Sequence, residues 1–150
     1  MKPINQTQLY DPTHQSPPGN CWTACIASIL ECELSELPSE DEYWQPGMHP
    51  RKSWPPFYAA MIYWLAQRNL TLIEVRTDNI EVDWGDSYEI LSGPSPRDNT
   101  ILHSVVGYGG KIVHDPHPSR AGLAEVHDKP WTRSYFVLCD PANKNPAGTT

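Results

Sequence analysis

We predict an α+β fold for this chain, with N-terminal helices packed on a C-terminal antiparallel β-sheet. Apolar residues recur at helical spacing before residue 70, whereas they alternate with polar residues after it. Gly109 and Gly110 separate two of the alternating segments, which is typical of a two-residue turn between antiparallel strands. Helices that precede the strands, rather than alternate with them, indicate the α+β class.

The first predicted helix runs from about residue 21 to residue 31. It follows Pro17, Pro18 and Gly19, which interrupt regular structure. A short turn of helix is expected over residues 34–40, where the proline stops it.

A second helix is expected after an irregular loop over residues 41–52. Ser53 is its predicted N-cap, with Pro55 and Pro56 in the first turn, and the helix should end near Asn69. The predicted strands are 70–76, 87–91, 101–108, 111–114 and 133–138.

Length and composition predict a single domain over residues 1–150. A chain of 150 residues can bury a core without disulfides, and its 39% hydrophobic and 19% charged residues argue against disorder over most of the length. We expect residues 1–14 to form an extended arm across the domain. Residues 140–150, rich in Pro, Asn, Gly and Thr, should form a flexible tail.

Charge and hydropathy narrow the range of partners. The net charge is −7 and the acidic residues are scattered, so no nucleic acid is expected to bind. No apolar run approaches the roughly 20 residues that a membrane span needs, and residues 1–5 have no apolar signal core. We therefore expect a cytoplasmic protein with four reduced cysteines and no membrane partner. The sequence does not predict an oligomeric state.

Cys21 is the candidate nucleophile, because it falls in the first turn of the first predicted helix. Unpaired N–H groups and the positive end of the helix dipole lie there, and both favour the reactive thiolate. A cysteine in this position can instead be a small buried apolar residue. Cys25, one turn further on, is expected to belong to the core.

His103 and Asp115 lie on the two strands of the predicted hairpin, each a few residues from the turn. A modest register offset would bring the carboxylate within reach of the imidazole. The imidazole would then take the proton from the Cys21 thiol, while the carboxylate orients the ring. The alternative for His103 is a core histidine with satisfied hydrogen bonds. The side-chain amide of Gln15 and the N–H of Cys21 are candidate donors to an oxyanion.

A zinc site is a second interpretation of the same region. His114, Asp115 and His117 are closely spaced and would need Cys21 or Cys25 as a further ligand. Since no second pair of Cys or His has the usual ligand spacing, we expect no metal and no other cofactor.

The order Gln15, Cys21, His103, Asp115 resembles that of the papain-like cysteine peptidase superfamily. Five residues separate Gln15 from Cys21, and His103 opens an apolar strand, His-Ser-Val-Val-Gly-Tyr-Gly-Gly. In its size and in its use of Asp as the third member, the chain is most similar to the bacterial double-glycine-leader, bacteriocin-processing peptidases. Residues 92–97 and 114–123 are also similar to segments of small phage and bacterial proteins. The chain differs from papain-type enzymes in having Asp in place of Asn and in being far shorter.

The resemblance implies a papain-like α+β fold and a hydrolase that cleaves a peptide or isopeptide bond of a peptide or protein substrate. Cys21 would be the nucleophile, His103 the general base and acid, and Asp115 its orienting partner, with Gln15 in the oxyanion hole. Two alternatives stay open, namely acyl or amide transfer on a small molecule by the same site, and a non-catalytic binding protein such as a phage-encoded antagonist of a host factor.

Three further residues are candidates for contact with the substrate. Trp22, next to the proposed nucleophile, would border the substrate groove. Arg97 and His117 flank the His103 region, and Arg97 with Arg120 is either surface charge or a clamp for a carboxylate of the substrate.

Overall fold

The structure is a computed structural model that describes residues 1–76, 85–126 and 131–139. Within these ranges the chain forms two α-helices followed by five strands, which confirms the α+β prediction. The strands build one antiparallel sheet in the order β1-β5-β2-β3-β4. The elements are α1 (Cys21–Leu30), α2 (Pro50–Ala66), β1 (Leu70–Arg76), β2 (Tyr88–Pro94), β3 (Leu102–Tyr108), β4 (Lys111–His114) and β5 (Thr132–Leu138).

Neither helix in the described part of the chain is long and apolar enough to cross a membrane. The tail predicted over residues 140–150 lies outside the described residues.

Helix α1 begins where the sequence predicts and packs on the sheet. Cys21 is its first residue, and the helix ends at Leu30 because Glu31 adopts a left-handed conformation, with φ of 57°. Most of its residues are buried against β3 and β2, including the fully buried Cys25 and Ile26. Helix α1 is therefore held against the face of the sheet, where it contacts β3.

Helix α2 begins at Pro50, so the predicted N-cap at Ser53 is wrong. The ring of His49 caps the helix by accepting the backbone N–H of Arg51 at 3.2 Å, and proline is favoured at the first helical position. Ser53 instead lies buried inside the helix, where its hydroxyl donates to Glu40 Oε1 at 2.5 Å. The buried hydroxyl makes a tertiary contact that the local sequence does not predict.

The loop predicted over residues 41–52 is also partly ordered. A 3₁₀ turn spans Glu40–Tyr43, and the first residues of α2 fall in the same stretch. Pro55 and Pro56 consequently lie inside α2, where both are exposed to solvent. The opposite side of α2 carries the apolar residues that enter the core, Phe57, Met61 and Leu65.

The β3–β4 hairpin turns at Gly109 and Gly110, as predicted, and both residues have positive φ angles, of 54° and 76°. Pairing begins with Tyr108 opposite Lys111 and passes an irregularity between Val106 and Gly107. Strand β4 ends at His114, opposite Val106, so β3 extends beyond β4 toward His103. Asp115 follows directly after the end of β4, beside this projecting part of β3.

The N-terminal arm connects α1 to the segment that follows β4. Ile4 accepts a hydrogen bond from His114 Nε2 through its carbonyl and donates its N–H to Ser28 Oγ of α1. Gln6 donates its N–H to the carbonyl of Pro116 at 3.1 Å. The arm therefore spans the two segments that carry Cys21 and Asp115.

Candidate active site

His103 and Asp115 form a buried pair at the end of β3. The ring Nε2 of His103 lies 2.8 Å from Asp115 Oδ1, and both residues are about 95% buried or more, with exposures of 3% and 5%. The carboxylate also accepts the backbone N–H groups of His117 and Gly122, each at 2.8 Å. Three donors therefore hold the carboxylate in place and fix the orientation of the ring.

The charge state of this pair follows from its surroundings. Burial lowers the pKa of His103 and outweighs the hydrogen bond and charge of Asp115, which raise it. Burial would raise the pKa of Asp115, but the hydrogen bonds from His117, His103 and Gly122 lower it overall. The pair is thus a neutral imidazole on a carboxylate, in which Nε2 donates and Nδ1 retains its lone pair. This is the form that can accept a proton.

Cys21 lies half-buried in the first turn of α1, where its thiol contacts β3. The polar groups near the sulfur are the N–H and hydroxyl of Ser104 and the N–H groups of Trp22 and Cys21 itself. These groups lower the pKa of the thiol, as expected at a helix start, but burial raises it by more. The expected thiolate is therefore not the resting form, because desolvation of the charged sulfur outweighs the helix amides.

Ser104 is the β3 residue beside the thiol, whereas no hydrogen bond between the Cys21 sulfur and the His103 ring occurs among the described residues. Ser104 follows His103 directly in β3, so the Cys21 sulfur sits beside the next residue of the strand that carries the imidazole. Thiol, imidazole and carboxylate thus come from α1, β3 and the residue after β4, and all three lie where β3 projects past β4.

Cys25 occupies the core, as expected. It is fully buried, and burial, followed by the charges of Cys21 and Asp115, raises its pKa well above the usual range. A thiol in this environment stays protonated and is shielded from reagents. Cys21 is therefore the more reactive of the two.

Gln15, the predicted oxyanion donor, is held in a surface loop. Its side-chain Nε2 donates to the carbonyl of Thr13 at 3.3 Å, and its N–H donates to Asp11 Oδ2. Asp11 also accepts the N–H groups of Thr13 and Ser16, so the loop folds around this carboxylate. These local bonds leave Gln15 exposed to solvent, and none of them connects it to Cys21.

Gln6, rather than Gln15, has its side chain close to the start of α1. Its side-chain Nε2 donates to the carbonyl of Gln8 at 2.7 Å, and the N–H of Asn20 donates to the same carbonyl at 3.2 Å. Asn20 immediately precedes Cys21, so the Gln6 amide lies at the start of α1. Gln6 is 9% exposed, and its Oε1 has no hydrogen-bond partner among the described residues. The unpaired atom is an acceptor, so it requires a donor and does not itself bind an oxyanion.

The start of α1 has no side-chain cap. The side chain of Asn20 does not cap the helix, because its Oδ1 accepts the N–H groups of Thr7 and Gln8 in the arm, each at 3.0 Å. The first N–H groups of α1 therefore remain available to the thiol and to an incoming oxygen atom.

Nothing in the local sequence singled out Gln6, because its position depends on the N-terminal arm returning to the start of α1.

Comparison of the chain with protein-family models, with curated proteins and with solved structures finds no match. The functional conclusion therefore rests on the contacts of the chain's own residues. Among these, the buried His103–Asp115 pair and the Cys21 thiol beside Ser104 provide the groups that nucleophilic catalysis needs.

The remaining sequence candidates have different environments. Trp22 is 6% exposed and packs against Trp54 and Tyr58 of α2, with ring centroids 5.1 and 5.8 Å away, so it joins α1 to α2. The exposed member of this aromatic cluster is Trp54. The ring of His117 lies 6.0 Å from that of His103, centroid to centroid.

The zinc alternative has no support within the described ranges. No group of three or more His, Cys, Asp or Glu residues there could hold a metal ion. His114 is turned away from Asp115, since its Nε2 bonds the carbonyl of Ile4 at 2.8 Å.

Proposed function

We propose that the protein is a cysteine-dependent hydrolase that cleaves a peptide or isopeptide bond through an acyl-enzyme on Cys21. The observation that carries the proposal is the buried hydrogen bond from His103 to Asp115, at 2.8 Å, next to the strand residue that contacts the thiol. Burying a histidine and a carboxylate costs desolvation free energy, so such a pair is typical of functional sites. A pair with a purely structural role would not need a thiol nearby.

The reaction follows from the protonation states of the three groups. His103 Nδ1 takes the proton from the Cys21 thiol as the sulfur attacks the carbonyl carbon, and Asp115 stabilises the imidazolium that forms. His103 then gives this proton to the leaving nitrogen, the C–N bond breaks, and an acyl-enzyme remains on sulfur. Water, deprotonated by His103, attacks the thioester and releases the acid and the free thiol.

General-base activation is required because the resting thiol is neutral. Burial raises the pKa of Cys21 and lowers that of His103, so the resting pair is a thiol and an imidazole rather than an ion pair. Proton transfer and attack on the carbonyl therefore occur together, when the substrate has excluded water from the site.

Gln6 replaces Gln15 as the proposed side-chain donor to the oxyanion. An amide nitrogen carries two hydrogens, and Gln6 Nε2 uses one on the Gln8 carbonyl, which leaves one free. Together with the N–H of Cys21 at the uncapped start of α1, it would bind the negative oxygen of the tetrahedral intermediate.

A papain-like fold and a cytoplasmic location belong to the same proposal. The papain-like assignment is supported by a nucleophile at the start of the first helix and a general base with its carboxylate in the sheet that follows. A reducing compartment is supported by the four cysteines, all of which are free thiols.

Alkylation of the folded protein with iodoacetamide near neutral pH, followed by peptide mass spectrometry, tests the proposal. Although its resting thiol is neutral, Cys21 should react faster than the half-buried Cys32, the internal control, because His103 takes the thiol proton as the sulfur attacks. Cys25 should not react. Replacement of His103 by Ala should abolish the selective reaction while leaving Cys32 unchanged. If Cys21 reacts no faster than Cys32, or reacts equally fast without His103, the hydrolase proposal fails.

A further inference from the structure

A basic cluster lies against the proposed general base, formed by Arg97, His117 and Ser119 and called here the Arg97 cluster. Arg97 Nη1 donates to Ser119 Oγ at 2.9 Å, and this hydroxyl lies 2.9 Å from His117 Nδ1. The His117 ring stands nearly perpendicular to that of His103, at an interplanar angle of 87°. A chain of hydrogen bonds thus connects an exposed guanidinium to the neighbour of the catalytic imidazole.

The contacts of His117 fix its tautomer. The backbone N–H of Ser119 donates to Nδ1 at 3.0 Å, so Nδ1 is an acceptor and the ring proton is on Nε2. Burial and then Arg97 lower the pKa of His117, which keeps the ring neutral near pH 7 despite the charge of Asp115. No hydrogen bond from Nε2 occurs among the described residues. The Nε2–H of His117 is therefore a donor without a hydrogen bond in this part of the chain.

The positive charge of Arg97 has no carboxylate partner in the described part of the chain, where Ser119 is its side-chain contact. Arg120, nearby, also bonds neutral oxygens only, namely the carbonyl of Asp115 and Asn5 Oδ1. Two arginines without a direct ion pair among the described residues thus lie around a site whose nearby negative charge is the buried carboxylate of Asp115.

This charge works against the proposed reaction in the free protein. Burial is the main cause that lowers the pKa of His103 and the charge of Arg97 lowers it further, whereas catalysis requires His103 to become an imidazolium. An anion bound to the guanidinium would cancel that repulsion at the moment when the substrate is present. The arrangement therefore favours a substrate that brings its own negative charge.

We propose that the Arg97 cluster binds a carboxylate of the substrate, next to the bond that Cys21 attacks. Arg97 has further N–H groups for a carboxylate oxygen, and His117 Nε2–H supplies a second donor. The preferred substrates are peptides or amides with either a C-terminal carboxylate or an acidic side chain close to the scissile bond. The inference concerns the substrate of the proposed hydrolase and therefore rests on the proposed function. Binding of a carboxylate can nevertheless be measured without turnover.

Titration of the full-length Cys21→Ala protein with small peptides, followed by NMR of the histidine rings, tests the inference. Acetyl-Ala-Gly carries a C-terminal carboxylate, acetyl-Glu-Gly-amide carries only a side-chain carboxylate, and acetyl-Ala-Gly-amide carries neither. A charge-assisted contact should make at least one carboxylate peptide bind about tenfold more tightly than the neutral one, with saturable shifts of the His117 ring signals. The better of the two carboxylate peptides identifies the source of the charge.

The matched variants are Arg97→Gln and Arg51→Gln. Arg51 is an exposed arginine in the first turn of α2 and does not belong to the cluster. Arg97→Gln should remove the preference for carboxylate, whereas Arg51→Gln should keep it. Equal binding of charged and neutral peptides, no binding of either, or a preference that persists in Arg97→Gln would overturn the inference.

This outcome is separable from that of the proposed hydrolase. If alkylation of the wild-type protein shows no reactive Cys21 but the carboxylate preference is found, the anion site stands and the hydrolase does not. If Cys21 is reactive and the preference is absent, the hydrolase stands and the Arg97 cluster is only surface charge.

Discussion

Nε2 of His103 lies 2.8 Å from Oδ1 of Asp115, although the two residues are on different sides of the Gly109-Gly110 turn. The pairing irregularity between Val106 and Gly107 sets the register that makes this contact possible. His114, one residue earlier, instead bonds the N-terminal arm. The hairpin thus determines which of two adjacent residues becomes the partner of the imidazole.

Replacement of Asp115 by Asn should slow the reaction of Cys21 on the order of 10²-fold, since the imidazolium loses its counter-charge and the ring its fixed tautomer. The measurement is the alkylation rate at pH 7, with a thermal unfolding curve to show that the variant is folded. Glu125→Gln removes an exposed carboxylate instead and should leave the rate unchanged. A similar rate in the two variants would mean that Asp115 has a structural role only.

Replacement of Gln6 by Ala should slow acylation of Cys21 by p-nitrophenyl acetate on the order of 10²-fold, because a tetrahedral oxyanion loses one donor. Alkylation by iodoacetamide forms no oxyanion, so its rate should change little in the same variant. Gln15→Ala is the matched control and should affect neither reaction. The assignment of Gln6 is refuted if both reactions slow equally or if Gln15→Ala shows the acylation defect.

The alkylation rate of Cys21 should be nearly level between about pH 7 and about pH 8, where a neutral thiol lies beside a free-base imidazole, and should rise again above about 8.5. Burial raises the pKa of the thiol, so the thiolate forms only above the ordinary cysteine range of about 8.5. Because the pKa of His103 is lowered below about 6.5, the ring is already a free base over most of this interval. Stopped-flow alkylation across the pH range measures this dependence. A rate that rises in proportion to the thiolate over the whole range, with no level interval, would mean that the bare thiolate reacts and that His103 takes no part.

Replacement of Gly93 by Ala should destabilise the fold by about 1–3 kcal/mol, as overpacking of a filled core does. A Cβ at Gly93 would lie 2.5 Å from Cδ1 of Trp131, whose Nε1 is held by the carbonyl of Ala124 at 3.1 Å. Gly93 is directly opposite His103 in the β2–β3 pair, so the Cys21 alkylation rate should fall as well.

Urea unfolding of the double variant Gly93→Ala, Trp131→Leu provides the control for this effect. The smaller leucine makes room for the new methyl group, so the combined loss of stability should be less than the sum of the single losses. Strict additivity would show that the indole does not limit the space at Gly93.

Local signals account for the parts of the fold that the sequence predicts well. The start of α1 follows a Pro-Pro-Gly segment, the hairpin turn is a glycine pair, and β1 alternates over the predicted residues 70–76. The start of α2 was missed because His49, which caps the helix through its ring, is not one of the residue types that usually occupy this position. Burial of the Ser53 hydroxyl against Glu40 excludes it from that role.

The sequence by itself determined the order of the elements, the helix start that carries Cys21, and the hairpin that brings His103 and Asp115 together. Each of these features depends on residues that are close together in the sequence, through their backbone preferences and the spacing of the apolar residues. Only the tertiary structure decided that Gln6 rather than Gln15 lies at the helix start, and that the Cys21 thiol is neutral. Both depend on the arm and the sheet burying the start of α1, and burial by segments distant in the chain leaves no local pattern in the sequence.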